Sequence, residues 1–360
     1  MNDTHNSIRV GVIGLTPVGF ELAETISQLG HEVTGADAKH GTRTEFEQKF
    51  GTQTYETPEE LLDQPIDAAV LTPPNKFHEN ASVSAFERNI PVLIEKPLAH
   101  NLESAERIRD AAATSKTFGM TTFNHKFLNR SRVLKSYIDD GYFGEISHIH
   151  ARHVSRRDIP SRGSWMTSRD IAGGGVLYDK GTFVLDMLLY FMDYSMPETV
   201  SGRIWREFDS FEDYAYLDMY GETETGEISD VEDSAIATLD FGNECTATIE
   251  VAWAANIKRD REHSYEIRGA DAGAEFDISN ADDPSNHLQL YEANKGEVDH
   301  FLDITVRTAH APSRSRLLQY FIEHVNIGSD PALNTVEEAF QIQKIITDIG
   351  EATQDATPDS

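Results

Sequence analysis

Between Ile8 and Phe123 two apolar patterns alternate, and this alternation constrains the fold more than any other feature of the sequence. IRVGVI (8–13), HEVTGAD (31–37), IDAAVLT (66–72), IPVLIE (90–95) and TFGMTTF (117–123) are short apolar runs that read as strands. Between them, PVGFELAETISQLG (17–30), TEFEQKFG (44–51), KFHENASVSAFERN (76–89) and LESAERIRDAAATS (102–115) carry apolar residues at helical spacing. A strand followed each time by a helix implies crossovers, hence a parallel sheet with both faces covered. The unbroken apolar character of the strand runs fits burial on both sides.

After about residue 124 the rhythm changes. FLNRSRVLKSYIDDGYFG (127–144) reads as a helix closed by a glycine turn, EISHIHARHVS (145–155) as a strand, and GGGVLYDKGTFVLDMLLYFMD (173–193) as a helix opened by glycines. From there to about residue 292 the patterns are mostly strand, with FGNE (241–244) as a hairpin turn. SRLLQYFIEHVNIG (315–328) and TVEEAFQIQKIITDIGEAT (335–353) close the chain as helices, and QDATPDS forms a frayed tail. Strands grouped together and then helices predict an α+β domain on a mainly antiparallel, open-faced sheet. A chain of 360 residues is long enough for two cores, and the boundary falls at 124/125.

Charge narrows the partners. Acidic residues number 61 against 31 basic ones, a formal net charge of −30, and Glu207 to Asp233 contains eleven acids and no base. Such a field repels nucleic acid and anionic lipid. Because the acids are spread along the chain, the expected setting is the high-salt cytoplasm of a halophile, where screening acts over a few ångström. The start MNDTHNSIRV lacks the pattern of a secretory signal, and there is no apolar run of membrane-spanning length. Cys245 is the single cysteine, which excludes an internal disulfide and a cysteine-cluster zinc site. A cytoplasmic location is the expectation.

GVIGLTPVG (11–19) lies where a dinucleotide fingerprint belongs, between the first strand and the first helix. Gly14 supplies the tight turn and Gly19 the close helix–sheet approach, but Thr16 stands where the middle glycine is expected. Thr16 is small, and its hydroxyl could reach a phosphate; Pro17 and Val18 begin the helix. Asp37 ends the second strand, 23 residues after Gly14, where an acid binds the ribose hydroxyls of NAD. Lys39, His40 and Arg43 follow and could instead receive a 2′-phosphate, so NAD is the expected cofactor and NADP the alternative.

Two further stretches, TPPNKFH (72–78) and EKPLA (95–99), with GGGVLYDKGTF (173–183), VEDSAIATLDF (231–241) and EEAFQIQKIITDI (337–349), resemble the glucose–fructose oxidoreductase/inositol dehydrogenase (Gfo/Idh/MocA) family over nearly the whole chain. The resemblance implies a Rossmann domain over 1–124. It also implies a substrate-binding domain over 125–360, whose open sheet face makes homodimer or homotetramer contacts. It implies hydride transfer between nicotinamide and a hydroxyl-bearing carbon of a sugar, sugar derivative or cyclitol. Thr72, Pro73, Pro74 and His78 would line the cofactor, and Glu95 would sit near the nicotinamide ribose. Lys96 would touch the substrate hydroxyl, Pro97 would follow a cis bond, Asn124 would lie at the domain junction, and Trp165 near the pocket mouth. A lysine at a parallel-strand end is placed to take a hydroxyl proton as hydride leaves. The family's third motif places an acid and a histidine one helical turn apart; here these are Asp179 and Phe183. Asp179 can bind Lys96 or a substrate hydroxyl, whereas Phe183 can move no proton. Related enzymes carry Tyr there. Three readings stay open: Lys96 and Asp179 suffice; Tyr178, Lys180 or His153 stands in; or the chain is a non-catalytic nucleotide- and sugar-binding protein.

SHIHARH (147–153) puts His148 and His150 on one strand face and His153 on the other, where it could face the substrate. No third ligand follows at metal spacing, so no metal is expected. The arginines of RHVSRRD (152–158) could bind a phosphorylated sugar or pair with surrounding acids.

Overall fold

A computed structural model describes residues 7–160, 164–208, 229–242, 245–279 and 287–355. Most of the acidic stretch from Glu207 to Asp233, the second half of the FGNE turn and the end of the tail lie outside the described residues. The chain forms two compact units, Met1–Phe123 with Arg314–Gln343, and Asn124–Ser313 with Lys344–Ser360.

The first unit holds six strands: β1 Arg9–Ile13, β2 Glu32–Ala36, β3 Thr54–Tyr55, β4 Ala68–Leu71, β5 Val92–Ile94 and β6 Gly119–Thr121. They pair all-parallel in the order β3-β2-β1-β4-β5-β6. The order reverses beside β1, which opens a crevice at the strand C-termini where ligands of such sheets bind. Five helices connect them: α1 Pro17–Gln28, α2 His40–Phe50, α3 Pro58–Leu62, α4 His78–Glu87 and α5 Leu102–Thr114. In α1, Gly19, Leu22, Ala23 and Ile26 are buried, the apolar stripe that seats a helix on a sheet. Residues 314–343 rejoin this unit through Asn334, whose amide donates to the Thr121 and Phe123 carbonyls at 2.8 Å each. A bridge from Met120 to Thr335 adds to that attachment.

The second unit is an eight-stranded sheet of β7 Ile146–Ser155, β8 Thr199–Trp205, β9 Ser234–Asp240, β10 Thr246–Ala252, β11 Arg261–Gly269, β12 Ala272–Asp277, β13 Leu288–Asn294 and β14 His300–Val306. The order is β14-β13-β12-β11-β7-β10-β9-β8. Only β7 and β10 run parallel; the other pairs are antiparallel. α6 Asn129–Asp139, α7 Arg169–Ala172 and α8 Thr182–Phe191 precede β8. α9 Ser313–Ile327 and α10 Val336–Asp355 end the described chain. Strand alternation sorts β7 into two faces: Ile149, Ala151 and His153 are buried, whereas His148, His150 and Arg152 point outward and are half-buried.

The short β3, α3 and α7 were not read from the sequence, and two further elements differ from the sequence reading. β14 was not expected: as an edge strand exposed nearly throughout, it carries none of the in–out alternation that marks a strand. The helix read over 173–193 is instead a glycine loop, a π turn over Leu177–Gly181 and then α8. Wide turns of this type occur often at functional sites.

Candidate active site

The glycine turn is held by backbone packed against backbone. Gly14 has φ +83°, and a Cβ there would lie 2.5 Å from the Pro73 nitrogen. A Cβ on Gly19 would meet the Gly14 carbonyl at 2.5 Å and Thr72 Oγ1 at 2.6 Å. The Thr72 hydroxyl donates to the Gly14 carbonyl at 2.5 Å, so the ends of β1 and β4 are bonded directly.

Thr16 resolves differently from the expectation that its hydroxyl reaches a phosphate. It is the N-cap of α1: Oγ1 accepts from Gly19 N–H at 3.2 Å and donates its one proton to the Thr72 carbonyl at 3.2 Å. The side chain is thereby turned toward the end of β4, and no proton remains for an anion. Leu15 N–H is taken by Asp37 Oδ2 at 2.9 Å, and Pro17 has no N–H. Thr16 N–H and Val18 N–H are the donors this helix start can offer a pyrophosphate.

Asp37 is half-buried at the end of β2. Its Oδ1 accepts from Lys39 N–H at 2.8 Å, so the carboxylate braces the turn and is itself oriented. Each oxygen keeps a lone pair for a ribose hydroxyl. Arg43, a possible 2′-phosphate ligand, donates to the Asp37 and Ala38 carbonyls at 2.7 and 3.1 Å and lies 3.7 Å from Glu56. These ties commit its guanidinium to the protein and favour the cofactor without the extra phosphate.

His78 was expected to line the cofactor. It is fully buried, with Nδ1 3.0 Å from the Pro97 carbonyl and Nε2 2.9 Å from the Pro73 carbonyl. Both ring nitrogens face carbonyl oxygens, and the nitrogen that carries the hydrogen donates to one of them, so the ring is wedged between the segments after β4 and after β5. Burial holds its imidazole below the usual value, against the pull of those carbonyls. Thr72 is buried, and Pro73 and Pro74 are half-buried on the same segment.

Lys96 follows β5, and the Lys96–Pro97 bond is cis. Lys96 N–H donates to Thr122 Oγ1 at 3.1 Å, and that hydroxyl donates to Glu95 Oε2 at 2.8 Å. Burial pushes the Glu95 carboxyl above its usual value; the neighbouring Lys96 and the Thr122 bond oppose this. The backbone carrying Lys96 is thus fixed from two strands.

In the second unit Asp179 lies in the π turn and Phe183 in the first turn of α8, both half-buried. Trp253, just past β10, donates its indole N–H to Asp179 Oδ2 at 2.8 Å. Lys180 is buried, and its ammonium bonds Ser155 Oγ at 2.6 Å, the Ala252 carbonyl at 3.2 Å and Asp158 at 3.1 Å. Three donors meet three acceptors, so Lys180 is a clamp on the end of β7 and not a proton carrier, although burial pushes its amine downward. The buried Glu232 accepts from Gly175 N–H at 2.7 Å and Leu177 N–H at 3.3 Å, which anchors the turn that carries Asp179. Burial raises the Glu232 carboxyl against those bonds and Arg169.

His153 is stacked on His263 with ring centroids 3.9 Å apart, and His263 in turn meets His125 edge-on at 5.1 Å. Asn124 donates to Ser313 Oγ at 2.8 Å, and Trp165 starts a half-buried turn over Trp165–Thr167. Arg152 pairs with Glu250 at 2.8 Å and with Glu262, the ion-pair alternative for that residue. Among the described residues no group of three or more His, Cys, Asp or Glu is arranged to hold a metal ion, and no helix is long and apolar enough to cross a membrane.

Sequence reasoning missed Trp253, Glu232 and His263. Only His263 left a signal: in HSYEIRG, positions 263, 265 and 267 share the buried face of β11.

A glycine turn after β1, an acid after β2 and a lysine after β5 sit in an oxidoreductase with an NAD-binding Rossmann domain. Residues 8–123 match the model described as "Oxidoreductase family, NAD-binding Rossmann fold", and residues 131–275 match the GFO/IDH/MocA C-terminal domain. The chain belongs to the Gfo/Idh/MocA oxidoreductase family. It is similar to a D-glucoside 3-dehydrogenase of Escherichia coli (strain K12), 24% identical over 98% of this chain and 97% of the relative. It is also similar to a myo-inositol 2-dehydrogenase of Thermotoga maritima, 27% identical over 68% of each chain. Among solved structures, a levoglucosan dehydrogenase in complex with NADH and L-sorbose superposes with a TM-score of 0.83 at 20% identity, over 97% of each chain.

Proposed function

We propose that the protein is an NAD-dependent dehydrogenase or reductase acting on a CH–OH carbon of a sugar, sugar derivative or cyclitol. The observation that carries this reading is Lys96, fixed after β5 by the Thr122–Glu95 pair in an NAD-binding unit. The sugar and inositol substrates in the names of the relatives support the substrate class.

Bound NAD would supply the hydride acceptor. Thr16 N–H and Val18 N–H would hold its pyrophosphate, Asp37 its adenosine ribose, and Thr72, Pro73 and Pro74 one side of its path. Lys96 takes the hydroxyl proton during oxidation and returns it during reduction. Asp179, oriented by the Trp253 indole, accepts from a substrate hydroxyl. Trp165 and Phe183 offer apolar surface to the sugar ring. A soluble cytoplasmic enzyme in concentrated salt is consistent with the charge. Ile236, Tyr291 and Phe301, on the outer face of the second sheet, are 43%, 37% and 84% exposed, which supports a homodimer or homotetramer joined there.

The test is to mix the protein with NAD in concentrated salt and screen D-glucosides, levoglucosan and inositols for absorbance of reduced nicotinamide. Turnover of one of these is the expected result. Phe183 favours a second reading, a nucleotide- and sugar-binding sensor or partner subunit; NAD binding with no turnover across broad sugar and sugar-nucleotide sets establishes that one. Within the enzyme, Lys96→Ala should lower kcat by about 10²–10⁴-fold while NAD affinity stays within a few-fold. An unchanged kcat removes Lys96 from the chemistry.

A further inference from the structure

β6 is the last strand at one edge of the first sheet, and its end is a tight turn. Phe123 N–H donates to the Thr121 carbonyl at 2.9 Å, which closes a three-residue turn with Thr122 at its centre. Thr122 N–H donates to the Ile94 carbonyl at the end of β5 at 3.0 Å. The Thr122 hydroxyl spends its one proton on Glu95 Oε2 at 2.8 Å and accepts Lys96 N–H at 3.1 Å. The place of the Lys96 backbone therefore depends on where this turn holds Thr122.

An edge strand has no strand neighbour on its outer side. Here residues 211–213 positions further along the chain supply the missing partners. Thr121 N–H donates to the Asn334 carbonyl at 2.7 Å, and Met120 pairs with Thr335 in an antiparallel bridge. The Asn334 amide then donates to the Thr121 and Phe123 carbonyls at 2.8 Å each, so one side chain grips both ends of the turn. Asn334 is fully buried and has φ +61°, a region that Asn tolerates better than most residues. Its Oδ1 is buried with no hydrogen-bond partner among the described residues. An apolar side chain would avoid that cost but could not hold the two carbonyls.

The segment that carries Asn334 is itself fixed. Glu338 N–H donates to Thr335 Oγ1 and Thr335 N–H to Glu338 Oε2, each at 3.1 Å, a reciprocal cap on the start of α10. Val336 packs where Gly119 of β6 has no side chain: a Cβ there would lie 2.6 Å from Val336 Cγ2. We propose that Asn334 is a positioning residue for the hydride-transfer reaction, acting through the turn at Thr122 to set where Lys96 meets the substrate hydroxyl. This rests on the dehydrogenase reading and deepens it. A general base displaced by about 1 Å loses much of its effect, so a residue remote from the chemistry can control the rate.

The test uses full-length protein in concentrated salt, saturating NAD and the best sugar from the screen, with Tm measured for every variant. Asn334→Gly keeps the positive φ and removes the amide; it should lower kcat about 10-fold while NAD affinity stays within a few-fold. Asn334→Ser retains one donor and should fall between Asn334→Gly and the wild type. Thr122→Val keeps the side-chain shape without the hydroxyl and should also lower kcat. If Asn334 acts through that hydroxyl, adding Asn334→Gly to Thr122→Val should cost less than about 3-fold more. A wild-type kcat in Asn334→Gly, even with a lowered Tm, overturns the proposal and leaves the dehydrogenase reading standing. So does the full 10-fold loss on top of Thr122→Val, which would make the two effects independent. Where Asn334→Gly does not fold, Asn334→Ser takes its place in the same comparison. Absence of turnover by the wild type overturns both the proposal and the dehydrogenase reading.

Discussion

Each unit has a glycine turn before a helix, and the two turns are secured in different ways. At Gly14 the restraint is covalent chain against covalent chain: the ends of β1 and β4 touch, and the Thr72 hydroxyl, the Thr16 hydroxyl and the Thr72 N–H bond across them. At Gly173–Gly175 the restraint comes from Glu232, far along the chain, whose buried carboxylate accepts the N–H groups of Gly175 and Leu177 and whose carbonyl accepts Val176 N–H at 3.0 Å. The first arrangement tolerates Thr16 at the middle position because the capping bonds turn its side chain aside. The second depends on one distant residue keeping its oxygens. Backbone restraint of this kind is written in a local motif, whereas side-chain restraint is not.

The largest effect should come from adding a methyl group at either turn. Gly14→Ala puts a side chain at φ +83° and a Cβ against the Pro73 backbone, with no rotamer to relieve it. The expected loss of stability is about 2–5 kcal/mol, with NAD binding weakened or abolished. Gly175→Ala places a Cβ 1.9 Å from the Glu232 carbonyl and should destabilise comparably, but any folded fraction should still bind NAD. Denaturant titration with NAD titration checks both. If Gly175→Ala loses NAD affinity as Gly14→Ala does, the two turns are not independent and the contrast fails.

An intermediate effect belongs to Glu232 itself. Glu232→Ala leaves two buried N–H groups without their acceptor and should lose roughly 1–3 kcal/mol. Glu232→Gln keeps one acceptor and removes a charge that burial already disfavours, so it should stay within about 1 kcal/mol of the wild type. In both, sugar turnover should fall more than NAD affinity. Equal stability of the Ala and Gln variants shows that the carboxylate does not secure the turn.

The same contrast explains what the sequence revealed. The first sheet, Gly14, Gly19, Asp37 and Lys96 could be read because each lies at the end of a regular element, and the element predicts the place. The attachment of residues 314–343 to the first unit could not, because it runs through Asn334 to carbonyls some 211–213 residues earlier. For His78, pattern placed it after β4 but could not show that its ring faces the Pro73 and Pro97 carbonyls. β14 escaped because an exposed edge needs no alternation. In the second unit the residues that hold the Asp179 turn, Trp253 and Glu232, come from distant parts of the chain. His263 met His153 only through the register of β11 on β7.

The smallest expected effect separates the buried histidines of the two units. Burial depresses both His78 and His263, but the carbonyls around His78 pull the other way, while the charges around His263 add to the depression. An imidazole depressed in the fold binds its proton more readily when unfolded. Its contribution is fully present above the unfolded value of about 6.5 and is lost as pH falls through the folded value, by up to about 1.4 kcal/mol per pH unit. His263→Phe should therefore flatten the decline of Tm below about pH 6.5 more than His78→Gln does. Carboxylate titrations are shared by all three proteins and cancel in the differences of slope. Parallel Tm curves for His263→Phe and the wild type reject a depressed imidazole at that position. A flatter curve for His78→Gln than for His263→Phe reverses the ranking and places the stronger acid sensitivity in the clamp between the ends of β4 and β5.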